Sequence, residues 1–320
     1  MKRIGNLYEQ IISIENLTEA DKKAQKGKSK QYGVKLHNQN KESNINVLHD
    51  MLKIQSYRTS EYDIFTVYEP KERIVYRLPY FPDRIVHHAI MNLLEPIFVS
   101  NFTADTYSCI KGRGIHLLLK KLKRNLKDVP GTEYCLKLDI KKFYPSIDHI
   151  ILKKLLRKKF KDQDLLGLLD EIIDSADGLP IGNYLSQYFA NFYLSYFDHW
   201  IKEEKRVKYY YRYADDIVIL SSNKQYLHQL LSDISKYLNQ NLKLEVKGNY
   251  QIFPVDKRGI DFVGYRFYHT HILLRKRIKQ NFARKLFKNP STSSIASYLG
   301  WLKHCNAKHL TKKLLPNEEF

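Results

Sequence analysis

Cysteine is scarce in this chain. Three thiols, Cys109, Cys135 and Cys305, are scattered over 320 residues with no CxxC pair. That excludes a disulfide framework and a cysteine zinc knuckle, and it fits a reducing cytosol, so a cytoplasmic location is expected. Long apolar runs are missing as well. No stretch approaches the roughly 18 residues of a spanning helix, and the mean hydropathy is -0.48, so no membrane contact is expected. The N-terminus, MKRIGNLYEQIISIENL, has neither the apolar centre nor the small-residue cleavage site of a secretion signal. The 12 histidines form no HxxxH or Cys/His ligand set, which argues against zinc. Acid is also in short supply. Against 54 Lys+Arg stand 34 Asp+Glu, a net charge of +20, and with 24 Tyr and 15 Phe this points to a polyanion such as nucleic acid.

What is present suffices for a core, since 43% of the residues are hydrophobic. A chain of this length exceeds the roughly 250–300 residues at which one core stops growing, so subdomains are expected. Residues 20–46 are polar and Lys-rich and read as a flexible or surface segment with room for a short helix. Val47, Leu48, Met51 and Leu52 recur at helical spacing. Tyr62–Tyr68 and Arg73–Leu78 read as two β-stretches around a turn at Glu69-Pro70-Lys71-Glu72. Helices are expected over Asp83–Phe98 and Ile115–Asn125. Cys135–Ile140 alternates as a strand, and Ser146 or Asp148 caps a helix that carries Leu152, Leu155, Leu156 and Phe160 on one side. Ser186–Ile201 is helical, Tyr209–Tyr213 and Ile217–Leu220 form a hairpin through Ala214-Asp215-Asp216, and Leu227–Leu238 is again a helix. Gln251–Phe267 is strand-like. From residue 271 the chain reads as helical, split at Asn289-Pro290-Ser291. This order is α+β and lacks the βαβ alternation of a doubly wound sheet. Residues 271–320 hold 11 Lys+Arg against 2 Asp+Glu.

Two acidic positions carry the chemistry. Asp139 ends a buried strand, and Asp215 with Asp216 occupies a hairpin tip. Strand ends and tight turns hold carboxylates rigidly at a sheet edge, as hard divalent cations require for phosphoryl transfer. Taken alone, Asp215-Asp216 reads more simply as a turn pair, since Asp is common in turns.

In sequence, Tyr213-Ala214-Asp215-Asp216 resembles the YxDD box of reverse transcriptases, and Leu138-Asp139-Ile140-Lys141-Lys142-Phe143-Tyr144 resembles their upstream metal-binding motif. Gly178-Leu179-Pro180-Ile181-Gly182-Asn183-Tyr184-Leu185-Ser186-Gln187 is similar to the loop and helix that hold nucleotide and template. Phe262-Val263-Gly264-Tyr265 is similar to the primer-grip hairpin, with Lys247 where the preceding motif has a lysine. The motifs run in the family's order across about residues 65–310. Ile181-Gly182 and Ser186-Gln187, where intron-type enzymes have Gln-Gly and Ser-Pro, resemble the reverse transcriptases of diversity-generating retroelements. So do Asp83–Ala89, Leu94–Phe98 and Tyr298–His304.

The resemblance implies a right-hand polymerase, with an N-terminal extension and fingers over 1–134 and a palm over 135–270. It also implies a helical insertion over 149–177, a basic thumb over 271–320 and no room for an endonuclease domain. It implies RNA-directed DNA synthesis with two Mg²⁺ ions, bound or organised by Asp139, Asp215, Asp216 and the Ile140 carbonyl. Tyr144 becomes the sugar gate under the deoxyribose. The Lys142 and Phe143 amides face the triphosphate of the dNTP, as does Arg73, with Lys71 second and Arg77 a rival. Ile181, Gly182, Gln187 and Lys247 join the nucleotide site, and Arg113, Phe262, Gly264 and Tyr265 lie toward template and primer. The implied partners are a template RNA, its RNA–DNA duplex and a small helical accessory protein. Two other readings stay open: an intron-type or defence-associated reverse transcriptase, and a maturase-like RNA-binding scaffold without activity.

Overall fold

The computed structural model describes residues 3–68, 72–288 and 291–314. The chain opens with helices α1 (Tyr8–Ile12), α2 (Ile14–Gln25), α3 (Tyr32–Gln39) and α4 (Lys41–Lys53). Strands β1 (Asp63–Val67) and β2 (Arg73–Arg77) follow, then α5 (Ile85–Asn101), α6 (Ile115–Asn125) and β3 (Tyr134–Asp139). Next come α7 (His149–Lys159), α8 (Gln163–Asp174), α9 (Tyr184–Tyr193) and α10 (Ser195–His199). Strands β4 (Tyr209–Tyr213) and β5 (Asp216–Ser221) precede α11 (Lys224–Leu242), β6 (Gln251–Pro254) and the one-turn α12 (Val255–Arg258). Strands β7 (Ile260–Phe262), β8 (Tyr265–Phe267) and β9 (Ile272–Leu274) lead into α13 (Lys276–Leu286), α14 (Thr292–Leu302) and α15 (Lys308–Leu314). Helices and antiparallel sheets are segregated as the α+β reading expects. The turn at Glu69-Pro70-Lys71 and the break at Asn289-Pro290 lie outside the described residues.

Two compact units form. The first comprises Met1–Thr103, Lys141–Phe197 and Leu238–Leu244. Its centre is α5, whose Ile85, Val86, Ala89, Ile90, Leu94 and Phe98 are buried. Helix α2 lies along it, with the Asn16 amide donating to the Ala89 carbonyl at 3.1 Å. Residues 20–46 are therefore not a loose surface segment but parts of three helices. Small and sparse apolar residues, Ala20, Ala24, Val34 and Ile45, are enough to bury one face of each. Asp21 is buried with them, 2.6 Å from Lys41 and 3.2 Å from His37. Burial pushes the Asp21 carboxyl up, but the bonds from His37, Lys41 and Tyr80 outweigh it and hold the group well below the usual range. Asp148 caps α7 as expected, its Oδ1 accepting from the Ile151 N–H at 2.9 Å.

The second unit comprises Ala104–Ile140, Asp198–Tyr237 and Glu245–Phe320. It holds an antiparallel sheet in the order β4-β5-β3-β6 and a three-stranded sheet β7-β8-β9. Helix α6 brings Leu118, Leu119 and Leu122 to a core shared with Cys135, Val218 and Phe262. The helix expected from residue 271 is preceded by β9, where Ile272 and Leu274 are buried and Leu273 is exposed. Three alternating residues are too few to stand out from a helical pattern in sequence.

Among the described residues, the fully buried cation of this unit is Arg212, in the middle of a strand otherwise made of tyrosines. Its guanidinium grips Asp198 with Nε at 2.8 Å from Oδ1 and Nη2 at 2.6 Å from Oδ2, and both side chains have no exposure. Tyr210 and Thr106 hydroxyls donate to the same carboxylate at 2.6 and 2.9 Å. Buried charge is tolerated only with its partners in place, and removing one leaves the other stranded. Arg212→Met or Asp198→Ala should therefore cost about 3–5 kcal/mol in urea unfolding, and Tyr210→Phe about 1.5–3 kcal/mol. A loss below about 1 kcal/mol for Asp198→Ala would contradict the assignment.

Candidate active site

The second unit's main sheet ends in carboxylates. Asp139 is the last residue of β3 and lies opposite Asp216, the first of β5, so the ladder register brings their side chains to one face. The hairpin β4–β5 turns through Ala214, held at φ +54°, and Asp215. A left-handed alanine is uncommon, and the turn is pinned from below, where Arg212 Nη1 donates to the Ala214 carbonyl at 3.1 Å. The Ile140 N–H donates to the Asp215 carbonyl at 3.3 Å, tying the strand end to the tip. Lys247 is fixed twice, its N–H on the Asp139 carbonyl at 2.9 Å and its Nζ 2.9 Å from Asp139 Oδ2.

A second lysine faces the group. Lys137 shares the face of Asp139, with Nζ 3.9 Å from Asp216 Oδ2, and donates to the carbonyl of Asp261 in β7. The Asp261 carboxylate in turn holds Arg275, Nε to Oδ1 2.6 Å. Burial, then the Asp139 carboxyl within hydrogen-bonding reach, pushes Asp215 up to about 6. Burial pushes Asp216 up to about 7; Lys137 opposes this, and Asp139 and Asp215 add to it. Among the described residues, Asp139 Oδ1 and Asp216 Oδ1 are buried without a hydrogen-bond partner. Crowded carboxylates with idle oxygens are sites of stored repulsion that a proton or a cation relieves.

The remaining candidates divide between the units. In the second, Gly264 occupies the β7–β8 tip at φ +93°, where a Cβ would meet the Trp301 ring at 2.4 Å. Phe262, Gly264 and Tyr265 are all buried, and Val263 at the tip is only partly exposed. Arg113 is half-buried in the turn before α6, its N–H donating to the Ile110 carbonyl at 3.0 Å.

In the first unit, Phe143 is buried, Lys142 is exposed, and the half-exposed Tyr144 accepts the Leu179 N–H on its carbonyl at 2.9 Å. The Tyr76 N–H of β2 donates to the Ile181 carbonyl at 2.8 Å. Gly182 follows at φ +112°, where a Cβ would lie 2.5 Å from the Tyr76 carbonyl, so only glycine lets strand and loop approach. Gln187 is exposed on α9. Arg73 is exposed and without a partner among the described residues, whereas Arg77 is paired with Asp63. Lys71 lies outside the described residues. The sequence reading missed Arg212, Asp198, Lys137 and Asp261. An arginine inside a run of tyrosines was the available signal, because such a strand is buried and its cation needs an acid nearby.

This architecture has counterparts among solved structures. A telomerase from Candida albicans in complex with a fragment of telomeric RNA superposes with TM-score 0.51 at 11% identity, over 84% of this chain and 58% of that one. Apo telomerase from Candida tropicalis gives 0.51 at 12% identity, over 80% and 60%. The fold is thus that of the α+β right-hand polymerases. The sequence profile described as "Reverse transcriptase (RNA-dependent DNA polymerase)" matches residues 69–267. The chain belongs to the reverse transcriptase family. It is 25% identical to Protein YkfC of Escherichia coli over 66% of each chain. It is 24% identical to the retron Ec73 reverse transcriptase of Escherichia coli, over 77% of this chain and 81% of that one. With the group II intron-encoded protein LtrA of Lactococcus lactis it shares 27% over 139 residues, 40% of this chain and 23% of LtrA. The chain spans just under two thirds of YkfC and less than a quarter of LtrA.

A divalent cation, on which this family generally depends, fits the donor set. The idle oxygens of Asp139 and Asp216 are hard ligands, and Asp215 is within reach of Asp139. Among the described residues no group of three His, Cys, Asp or Glu side chains is placed to hold a metal ion by itself. Water and substrate phosphates would have to complete the coordination of any cation held by these carboxylates. The linkage can be checked without turnover. Because Asp215 and Asp216 are raised, the fold favours their protonated forms, so metal-free stability is fully present below the ordinary carboxyl range and falls as pH rises through about 6 and 7. Millimolar Mg²⁺ should raise Tm by several degrees at about pH 8 and far less at about pH 5. Asp216→Asn should flatten the difference, and an equal rise at both pH values would exclude these carboxyls as the ligands.

Proposed function

We propose that the protein is an RNA-directed DNA polymerase that adds deoxynucleotides to a primer 3′-end on an RNA template. The observation that carries this reading is the set Asp139, Asp215 and Asp216, presented at one sheet edge with unpaired oxygens and a turn anchored by a buried ion pair. In the reaction the 3′-hydroxyl attacks the α-phosphorus, the bond to the β-phosphate oxygen breaks, and pyrophosphate leaves. Two Mg²⁺ ions bound at these residues and the Ile140 carbonyl would supply charge neutralisation and an acidified 3′-hydroxyl. Lys247 holds Asp139 in place, and Arg73, uncompensated by any described acid, is suited to triphosphate oxygens, as a guanidinium binds them in pairs. Tyr144 serves as the wall against a ribose 2′-hydroxyl, beside the Lys142 and Phe143 amides. Helix α13 buries Phe282 and exposes Lys276, Lys279, Arg284 and Lys285, which suit an RNA–DNA duplex backbone and make binding steeply salt-dependent.

We further read the enzyme as the reverse transcriptase of a diversity-generating retroelement, working with a small helical accessory protein and copying a template-repeat RNA with errors. Ile181 and Gln187 support this, as neither matches the intron-type pattern. The homology to LtrA and to a retron enzyme favours the second reading, an intron-type or retron-like reverse transcriptase.

Two experiments test these proposals. In primer extension on RNA, Asp139→Asn or Asp215→Ala should abolish synthesis while RNA affinity is kept; wild-type rates in either variant would exclude the assigned centre. Ile181→Gln restores a polar contact that related enzymes make to the incoming nucleotide. One neutral hydrogen bond is worth about 0.5–1.5 kcal/mol, so fidelity opposite template adenine should rise roughly 2–10-fold. Sequencing the cDNA from both enzymes reads it, and identical error spectra would make Ile181 a loop-packing residue and overturn its fidelity role.

A further inference from the structure

Within the first unit, half-buried cations gather where α5 begins, and no described acid answers them. Arg84 immediately precedes α5 and His88 follows one turn later, so both lie on the same side of the helix. Lys28, three residues past α2, is within electrostatic reach of both. Arg84 and Lys28 are each partly buried, and among the described residues neither side chain makes a hydrogen bond or an ion pair. The neighbouring cations are answered: Arg77 pairs with Asp63, and Lys23 lies 3.9 Å from Glu19 and donates to Asn92 at 2.7 Å. The His88 ring stacks on Tyr184 with centroids 4.4 Å apart and planes at 18°. Tyr184 opens α9 two residues beyond Gly182, and is itself only half-buried.

Such a cluster is electrostatically unfavourable as it stands. Burial, and then Arg77, lowers the pKa of Arg84; burial, and then Arg84, lowers that of Lys28. Burial, with Lys28 and Arg84, pushes His88 down to about 4, so at neutral pH it is an uncharged ring beside two cations. Five guanidinium N–H donors and three ammonium donors are left for an anion. Cations beside an aromatic platform are the combination with which proteins hold single-stranded nucleic acid.

We propose that Lys28, Arg84 and the His88–Tyr184 stack form a phosphate site that grips the backbone of the unpaired template strand. The assignment of the strand as template rests on the polymerase reading above; the phosphate chemistry does not. A nucleotide triphosphate is the other source of the same group, and the arms of the test separate the two. Two labelled RNA–DNA duplexes are compared by fluorescence anisotropy across a salt series, one with about ten unpaired 5′ RNA nucleotides and one blunt. Arg84→Gln and Lys28→Gln should each weaken binding of the overhang duplex about 3–10-fold and reduce its salt slope by about 0.7 per contact. Blunt-duplex affinity should stay unchanged, and Arg84→Lys should recover part of the loss. Lys154→Gln, an equal charge change on the exposed side of α7, should alter neither duplex. Lys28 lies outside the helices, so its variant reads the site even if Arg84→Gln lowers stability.

Equal weakening on both duplexes, or no weakening, would overturn the site. So would a raised KM for dNTP with overhang binding intact, which assigns the cations to the triphosphate. Overhang-specific loss in a wild-type background that never extends a primer would sustain the phosphate site and refute the polymerase reading instead.

Discussion

The ion pair of Asp198 and Arg212 sets what the second unit can do. Neither charge could be buried alone, and together with Tyr210 and Thr106 they satisfy one another. The same guanidinium reaches the Ala214 carbonyl, and the Arg212 backbone is bracketed by Asp105 and Tyr107, whose carbonyl and N–H bond to it at 3.0 Å. Asp105 is itself nearly buried between Lys121 and Lys202. A chain of paired charges thus runs from beneath the sheet to a strained turn, and two carboxylates ride on that turn. Rigidity here is a chemical requirement, because carboxylates that repel each other would otherwise swing apart.

Above the sheet the logic reverses. Below it Arg212, Asp198 and Asp105 are all paired; at its edge, among the described residues, Asp139 Oδ1 and Asp216 Oδ1 have no hydrogen-bond partner. Lys137 and Lys247 moderate the repulsion without quenching it, and Lys137 also ties the edge to β7 through Asp261. Within the other unit, Gly182 and the Ile181 carbonyl join the loop to β2, so the exposed Arg73 belongs to a hairpin whose strand is anchored rather than free. These contrasts separate residues that hold the protein together from residues kept ready for something else.

Much of this was legible in sequence because it is local. The alternation of Cys135–Ile140, the Asp148 cap and the Ala214-Asp215 turn each follow from neighbours along the chain, and the acidic strand end and hairpin tip announced the candidate site. What was not legible is long-range. The helices of residues 20–46 are stabilised by partners on α5 and by the Asp21 network, which no local pattern displays. Strand β9 was too short to register. Arg212 gives only half a signal along the chain, because its acid, Asp198, is 14 residues away on a different element. Phe262 and Tyr265 matched a motif, yet only the fold shows that their rings are spent on the core.

The central claim is that the buried pair preorganises the carboxylates of the turn for metal-assisted synthesis. Its most direct test is the rate of single-turnover extension by Arg212→Met as Mg²⁺ is titrated, at a temperature where the variant stays folded. The account predicts a large fall in the rate at saturating Mg²⁺, with the primer–template Kd unchanged. A wild-type rate and Mg²⁺ dependence in a folded Arg212→Met protein would contradict it.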